Sequence, residues 1–310
     1  MVFKIIPLSS SDFTENSNKL SSEIINENTL KFHEKKASED TIMHRVGIAT
    51  ADGKIVGFGM GVSGSWDPIL LPGHFDISIR VDKNWINQGL GSMLFEKVTR
   101  FAKNNGGTVV QCGIRETEQT NIAWLEEKGF TKVFHTFESQ LDLSTFNIDH
   151  YKSIFEDVEW SGVEFKSFAE YPQDDKWLQR FFDFWWELAM DAPGMEGKTR
   201  PDFEVLKNQF QGIDREGFIL AIEEDKWIAM SMIINESNEI FYNSLTGVQR
   251  GYRGKGIALA VKLKAIGYAK QKGAKLIRTH NDSNNIPMLN INQKLGYEKQ
   301  TGIYFFEKQI

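Results

Sequence analysis

Cysteine is nearly absent: Cys112 is the single one among 310 residues. No disulfide can close within the chain, which removes the small disulfide-framed folds and suits a reducing cytoplasm. Positive charge is also short. Lysine and arginine number 36 against 42 acidic residues, for a net charge of −6 and a pI of about 5.6. With no basic run of five or more, a dedicated nucleic-acid binder is excluded as the leading class. No apolar run approaches the roughly 20 residues needed to span a bilayer. The start, Met1-Val2-Phe3-Lys4-Ile5-Ile6, is too short and too soon polar for a signal peptide. A cytoplasmic location without a membrane partner is therefore expected. No histidine or cysteine cluster has metal-ligand spacing, so no metal is implied.

What the chain does have is apolar mass, at 41% hydrophobic and 12% aromatic residues, enough for two buried cores. It also contains one motif twice. Val81-Asp82-Lys83-Asn84-Trp85-Ile86-Asn87-Gln88-Gly89-Leu90-Gly91 matches Val248-Gln249-Arg250-Gly251-Tyr252-Arg253-Gly254-Lys255-Gly256-Ile257-Ala258 at an offset of 167 (248 − 81). Lys97 and Lys264, Ala102 and Ala269, Gly106 and Gly273, and Gly129 and Gly296 keep that offset. A period this long means two copies of a domain, not a solenoid. The repeat places an N-terminal domain over 1–143, a linker over 144–160 and a C-terminal domain over 161–310.

Local patterns fill in the copies. In the first, Phe3–Leu8 predicts a strand and residues 11–36 a polar helical region. Val46–Thr50 and Ile55–Met60 flank Ala51-Asp52-Gly53-Lys54, a hairpin signature. Phe75–Val81 alternates at period two. Met93, Leu94, Val98 and Phe101 mark one face of a helix over 91–104, ended by Gly106-Gly107. A strand over 108–114, a helix over 120–128 and a strand over 131–143 follow. The second copy predicts strands at 163–165, 218–222, 227–234, 240–248 and 275–280, with a turn at Glu223–Lys226. Its helices fall at 176–190, 258–270 and 287–295, and residues 151–158 of the linker are helical. The run Phe181-Phe182-Asp183-Phe184-Trp185-Trp186 is expected to pack into a core or line an apolar pocket. The fold class is α/β, with a mixed, mostly antiparallel sheet flanked by helices in each copy.

In both copies an apolar strand ends in valine, crosses a glycine-rich loop and opens a helix. Glycines admit a ligand to the backbone N–H groups, and the helix start carries about half a positive charge. Such a unit suits phosphate or pyrophosphate. It is not a Walker loop, since no Gly-Lys-Ser/Thr follows, and its glycine spacing is wrong for a dinucleotide fingerprint.

The unit Val248-x₄-Arg253-x-x-Gly256-x-Ala258 resembles the acetyl-CoA-binding motif of the GCN5-related N-acetyltransferases. The stretch from Thr279 to Tyr297, with Asn285 ahead of a helix closing in Gly296-Tyr297, resembles that family's last motif. The chain thus looks like a tandem member. The resemblance implies acetyl-CoA as co-substrate and a small-molecule amine as acceptor. It implies that the backbone of Thr246, Gly247 and Val248 holds the pantetheine arm. It also implies that Arg253, Gly254, Lys255, Gly256, Ile257, Ala258 and Leu259 cradle the pyrophosphate, with Asn285, Asn281 and Asn292 as further contacts. For the asparagines, helix capping and turn formation stand beside ligand contact.

The first copy carries Ile86 where the second has Arg253, and Glu118 where it has Asn285. It keeps Val81, Gly89, Leu90, Gly91 and Ser92, either as a second cofactor site or as a copy retained for packing and for shaping the acceptor pocket. Turnover is expected in the second. There the family's frequent tyrosine acid is replaced by Asn292, which cannot donate a proton. Tyr242, on the strand before the loop, is the candidate catalytic group, suited to be an acid rather than a base, or simply an aromatic packed on a sheet face. His280, at a strand end, is either a further proton-transfer candidate or a structural histidine. Asp191, in Asp191-Ala192-Pro193, would attract a cationic amine or simply form a turn. A non-catalytic acyl-CoA-binding or sensing protein is the alternative, and a tRNA-dependent aminoacyl transferase a third reading that the acidic balance disfavours.

Overall fold

The computed structural model describes residues 3–9, 11–13, 15, 41–63, 71–237 and 239–310. Most of the polar region expected to be helical over 11–36 lies outside them.

The predicted hairpin forms as β2 (Ile42–Ala49) and β3 (Ile55–Ser63), paired antiparallel. Gly53 takes a φ of 86° at its turn, where the Thr50 N–H bonds the Lys54 carbonyl at 2.9 Å. β1 (Lys4–Pro7) adds to β2, and β4 (His74–Val81) to the far edge of β3. α1 (Leu90–Asn104) then lies on this sheet, burying Leu90, Leu94, Phe95, Val98 and Ala102 along one helical stripe. It sits close because β3 has no side chain beneath it: a Cβ at Gly61 would come 2.9 Å from Val98 Cγ1. β5 (Val109–Arg115) returns parallel to β4, the geometry a helical crossover permits. α2 (Gln119–Glu127) and β6 (Thr131–Asp142) complete the first repeat.

α3 (Lys152–Trp160) leads into the second repeat, whose β7 (Val163–Ser167), β8 (Phe218–Glu223), β9 (Lys226–Ser237) and β10 (Ile240–Val248) form an antiparallel meander. α4 (Asp175–Ala189) buries Leu178, Phe181, Phe182, Phe184 and Leu188 against one face of it, so the three phenylalanines of the aromatic run are core. α5 (Phe203–Gln209), over which the sequence pattern predicts nothing, closes that cluster through Leu206. α6 (Ile257–Gln271) covers the other face, followed by β11 (Leu276–Asp282), α7 (Ile286–Leu295) and β12 (Glu298–Gln309), the last also unanticipated.

The chain divides into two compact units that are not the two repeats cut end to end. The N-terminal unit is Met1–Ile114, Glu118–Val133 and Tyr304–Ile310, and the C-terminal unit is Arg115–Thr117 and Phe134–Ile303. In the N-terminal unit the strand order is β1-β2-β3-β4-β5, with the end of β12 beside β5. In the C-terminal unit it is β6-β11-β10-β9-β8-β7. The repeat boundary at 143 thus misses the physical division. β11 would otherwise present an open edge, and the last strand of the first repeat pairs with it antiparallel, from Leu276↔Asp142 to Asp282↔Thr136.

Candidate acyl-transfer site

Each unit contains a pair of parallel strands that part. In the C-terminal unit the ladder between β10 and β11 covers only Ile240–Tyr242 against Leu276–Arg278. In the N-terminal unit that between β4 and β5 covers only His74–Asp76 against Val109–Gln111. Beyond these pairs one edge of β10, and of β4, offers backbone groups to an extended ligand.

The strands differ in one respect. β10 shifts register against β9 between Asn243 and Leu245, whereas β4 pairs with β3 without a break. Asn243, 3% exposed, stitches the bulge by donating to the carbonyls of Met232 (2.7 Å) and Leu245 (3.2 Å) and accepting from the Thr246 hydroxyl (3.2 Å). Thr246 also meets Ser231 Oγ at 2.9 Å, so its side chain is engaged and its backbone is what remains for a ligand. Gly247 is a close-approach position, since a Cβ there would come 2.9 Å from Leu188 Cβ.

Past Val248 the loop backbone is nearly the same in both units. Gly254 and Gly256 have φ of 79°, and their counterparts Asn87 and Gly89 have 61° and 79°. The first return bonds of the helices are Ala260 N–H to the Gly256 carbonyl and Met93 N–H to the Gly89 carbonyl, both 3.1 Å. The N–H groups of Ile257, Ala258 and Leu259, and of Leu90, Gly91 and Ser92, are the helices' open donors. A Cβ built at Gly89 meets no atom within 4 Å, and one at Gly256 meets Val158 Cγ2 at 3.8 Å, so neither helix start is crowded in front. Lys255 reaches over the Tyr252 ring at 5.2 Å.

Asp191 does not face an open acceptor pocket as a free carboxylate. Arg250 donates to its Oδ1 through Nε (3.0 Å) and NH2 (2.7 Å), and Arg253 donates to its Oδ2. Arg253 also bonds the Val248 carbonyl through Nε at 3.0 Å. The Arg250 hydrogen bonds, aided by Arg253 and opposed by burial, hold the Asp191 carboxyl below the usual range. Asp191 is thus the brace of the glycine loop, its expected partner replaced by two arginines of the chain.

Asn281 and Asn292 are also otherwise employed. They are 5% and 3% exposed and belong to a buried chain. In it Lys262 Nζ donates to Asn292 Oδ1 (2.7 Å), Asn292 Nδ2 to Asn281 Oδ1 (2.6 Å), and Asn281 Nδ2 to Ser139 Oγ (2.9 Å). Their expected role as cofactor contacts gives way to this network. Lys262, 1% exposed over the Tyr297 ring, has its ammonium pKa lowered to about 7 by burial. At the repeat offset these four positions are Phe95, Leu125, Ile114 and Phe306, all in the apolar core of the N-terminal unit. A charged residue opposite Phe95 was the sequence signal for this network. Asn285 caps α7, accepting from the Met288 N–H at 3.4 Å, and remains half-exposed.

On the sheet face away from α6, Tyr242 Oη lies 3.1 Å from His280 Nδ1. His280 Nε2 is 4.0 Å from Glu138 Oε2. Burial, then Glu236, raises the Tyr242 pKa, keeping the phenol protonated. Burial pushes the Glu138 carboxyl up, but hydrogen bonds from Arg278 and Gln140 outweigh it and leave the group below its ordinary value. No local motif marked Glu138, which comes from the first repeat.

In the N-terminal unit the parting strands open into a cavity of about 790 Å³, lined by Val81, Trp85, Gly89, Gly91, Trp124 and Phe305 among others. Ile86 is solvent-exposed there, and Glu118 begins α2 with its carboxylate accepting from Asn121 at 2.5 Å. Cys112 also lines the cavity, its thiol pushed up to about 12 by burial and by Asp76. Among the described residues no helix is long and apolar enough to cross a membrane.

No curated protein matches the chain. Among solved structures it is similar to a GCN5-related N-acetyltransferase from Sphaerobacter thermophilus, with a TM-score of 0.70 at 16% identity over 99% of this chain and 95% of that one. It is also similar to a tandem GNAT protein from the clavulanic acid biosynthesis pathway, with a TM-score of 0.66 at 14% identity over 99% and 98% of the two chains. These likenesses concern the fold. The model of the acetyltransferase (GNAT) family matches residues 5–130 and again 178–297. With both repeats matched and most of its length covered, the chain belongs to the GNAT acetyltransferase family, as a tandem member.

Proposed function

We propose that the protein transfers an acetyl group from acetyl-CoA to an amine of a small molecule, with turnover in the C-terminal unit. The observation that carries this is the continuity of that unit's β10 with its loop. A bulged strand with a free edge leads into a phosphate-accepting helix start that Asp191 and two arginines brace. Along β10, Val248 lies roughly 17 Å from Asn243 at strand spacing, comparable to the reach of an extended pantetheine arm. The residues that would hold acetyl-CoA are the backbone of Thr246–Val248 and of Arg253–Leu259, with Asn285 at the start of α7. The co-substrate supplies an activated thioester, and the protein orients it and manages the amine's proton.

The N-terminal unit supports a second reading, acyl-CoA binding without turnover. Its loop has the same backbone conformation and opens on the 790 Å³ cavity.

Calorimetric titration of acetyl-CoA into the unmodified protein, Gly256→Glu and Gly89→Glu tests both. Gly256→Ala and Gly89→Ala serve as controls for the strain of a side chain at φ of 79°. Loss of binding in Gly256→Glu alone supports the C-terminal site. Loss of one of two binding events in each glutamate variant supports both sites. An unmodified protein that binds no acetyl-CoA refutes the function.

A further inference from the structure

We infer that Tyr242, His280 and Glu138 form a proton relay for this reaction, so that the catalytic site of the C-terminal unit is completed by a strand of the first repeat. The inference rests on the acyl-transfer reading above and goes beyond it in naming the base.

Position is the first support. Tyr242 is the last residue of β10 paired with β11, and His280 follows just beyond on β11, so both stand where the strands part. Their side chains alternate with Phe241, Ile277 and Thr279, which are buried, the first two in the core that α6 covers. Tyr242 and His280 therefore point to the opposite face, the side from which an acceptor can meet a thioester lying in the gap. His280 is about half-exposed, with its side chain at 52%.

The second support is the fixed arrangement behind them. Glu138 Oε2 accepts from Arg278 Nε (2.8 Å) and NH2 (2.5 Å), and its Oε1 accepts from Gln140 at 2.6 Å. Arg278 is held in turn by Glu236 at 3.1 Å. The carboxylate is thus kept ionised at 4.0 Å from His280 Nε2, close enough for its charge to act on the ring. This favours the tautomer with hydrogen on Nε2 and a lone pair on Nδ1 that accepts from the Tyr242 hydroxyl. The order hydroxyl, imidazole, carboxylate is that of a nucleophile triad, with the tyrosine as conduit. The charged and titratable groups facing His280 are Tyr242 from β10, Arg278 from β11, Glu138 from β6 and Glu236 from β9.

The third support is the other unit. By position in the strand pairing the counterpart of Tyr242 is Asp76, and at the repeat offset those of His280 and Glu138 are Gly113 and Phe305. All three line the N-terminal cavity, where Asp76 accepts from Gln111 and Gly113 and Phe305 offer it no group to pass a proton to. The two units share a loop and differ in this set of side chains.

The step balances within the site. The amine nitrogen bonds to the thioester carbon and the carbon–sulfur bond breaks, its electron pair leaving on the thiolate. The amine's surplus proton passes to Tyr242 Oη as the phenol's own proton passes to His280 Nδ1. The imidazolium faces Glu138, then returns the proton by the same route to the thiolate. Tyr242 is the catalytic residue that touches the reacting atoms. His280 accepts the proton behind it, and Glu138 is a positioning residue.

The test follows thiol release from acetyl-CoA with a panel of primary amines (a diamine, an amino sugar and an α-amino acid), using the full-length protein. The expected result is a roughly 10²–10³-fold lower kcat in Tyr242→Phe and His280→Gln, with acetyl-CoA binding unchanged by calorimetry. Glu138→Gln is expected to lower kcat roughly tenfold while leaving the KM for acetyl-CoA unchanged. Glu138→Asp, which keeps the carboxylate, is expected to restore most of that rate. A His280→Gln rate within threefold of the unmodified protein overturns the relay while leaving the acetyltransferase standing. So does a Glu138→Gln kcat equal to that of the unmodified protein, or one that Glu138→Asp does not restore. No thiol release from the unmodified protein with any amine overturns the function itself, and the relay with it.

Discussion

The buried ammonium of Lys262 makes a prediction that can be worked through. In the unfolded chain the group titrates near its ordinary 10.5, and in the folded protein near 7. Below pH 7 it is protonated in both states, and the folded state carries a buried charge whose partners are Asn292 Oδ1 and the face of Tyr297. Between the two values the unfolded chain holds the proton and the folded protein does not, so stability rises with pH. The slope is about 1.4 kcal/mol per pH unit, which over pH 7 to 9 amounts to roughly 2–3 kcal/mol. Lys262→Met alone would strand Asn292 Oδ1 at a cost of about 1–3 kcal/mol. The informative variant is Lys262→Met with Asn292→Leu, which brings both positions close to the apolar pair Phe95 and Leu125 of the N-terminal unit. Urea unfolding of both proteins at pH 6, 7, 8 and 9 gives the difference at each pH. Taking variant minus unmodified protein, the difference should be most positive at pH 6 and fall by roughly 2–3 kcal/mol between pH 7 and 9. A difference that stays constant across this range refutes the depressed lysine.

Two further outcomes are expected, each with its own assay. Asp191→Asn should weaken acetyl-CoA binding roughly tenfold by calorimetry, because Arg250 and Arg253 lose a charged acceptor and the loop its brace. As the folded Asp191 pKa is lowered, the brace of the unmodified protein is fully present above the ordinary aspartate range and is lost as pH falls through the lowered value. Cys112, with its pKa near 12, should carry a thiolate fraction of only about 10⁻⁴ at pH 8. It should therefore resist iodoacetamide in the native protein and react promptly in urea, and rapid native labelling would contradict its burial.

Much of the architecture is legible in local patterns because those patterns are local physics. Asp52-Gly53 makes its turn through a backbone conformation glycine favours, whatever surrounds it. The stripe of Leu94, Val98 and Ala102 must find an apolar surface wherever the helix lies. The glycine loops are read twice at one offset and adopt one backbone shape twice. The site's side chains are less legible. Asn281, Asn292 and Asp191 have the right chemistry for a ligand, yet each is taken up by groups distant in sequence: Ser139, Lys262 and two arginines. Lys262 looks like a solvated helix residue until α7 is laid over it. Residues 203–209 and 298–309, short or weakly alternating, carry no strong periodic signal.

The sequence by itself determined the two copies, the order of strand, loop and helix in each, and the backbone of the glycine loop, since all of these follow from neighbours a few residues apart. Only the tertiary structure decided that β6 joins the sheet of the C-terminal unit, and hence that Glu138 stands behind His280 and Ser139 ends the network from Lys262. Period-two alternation says which residues of a strand share a face, but not which open edge the strand will pair with. That choice is made by whichever sheet has unsatisfied backbone groups within reach.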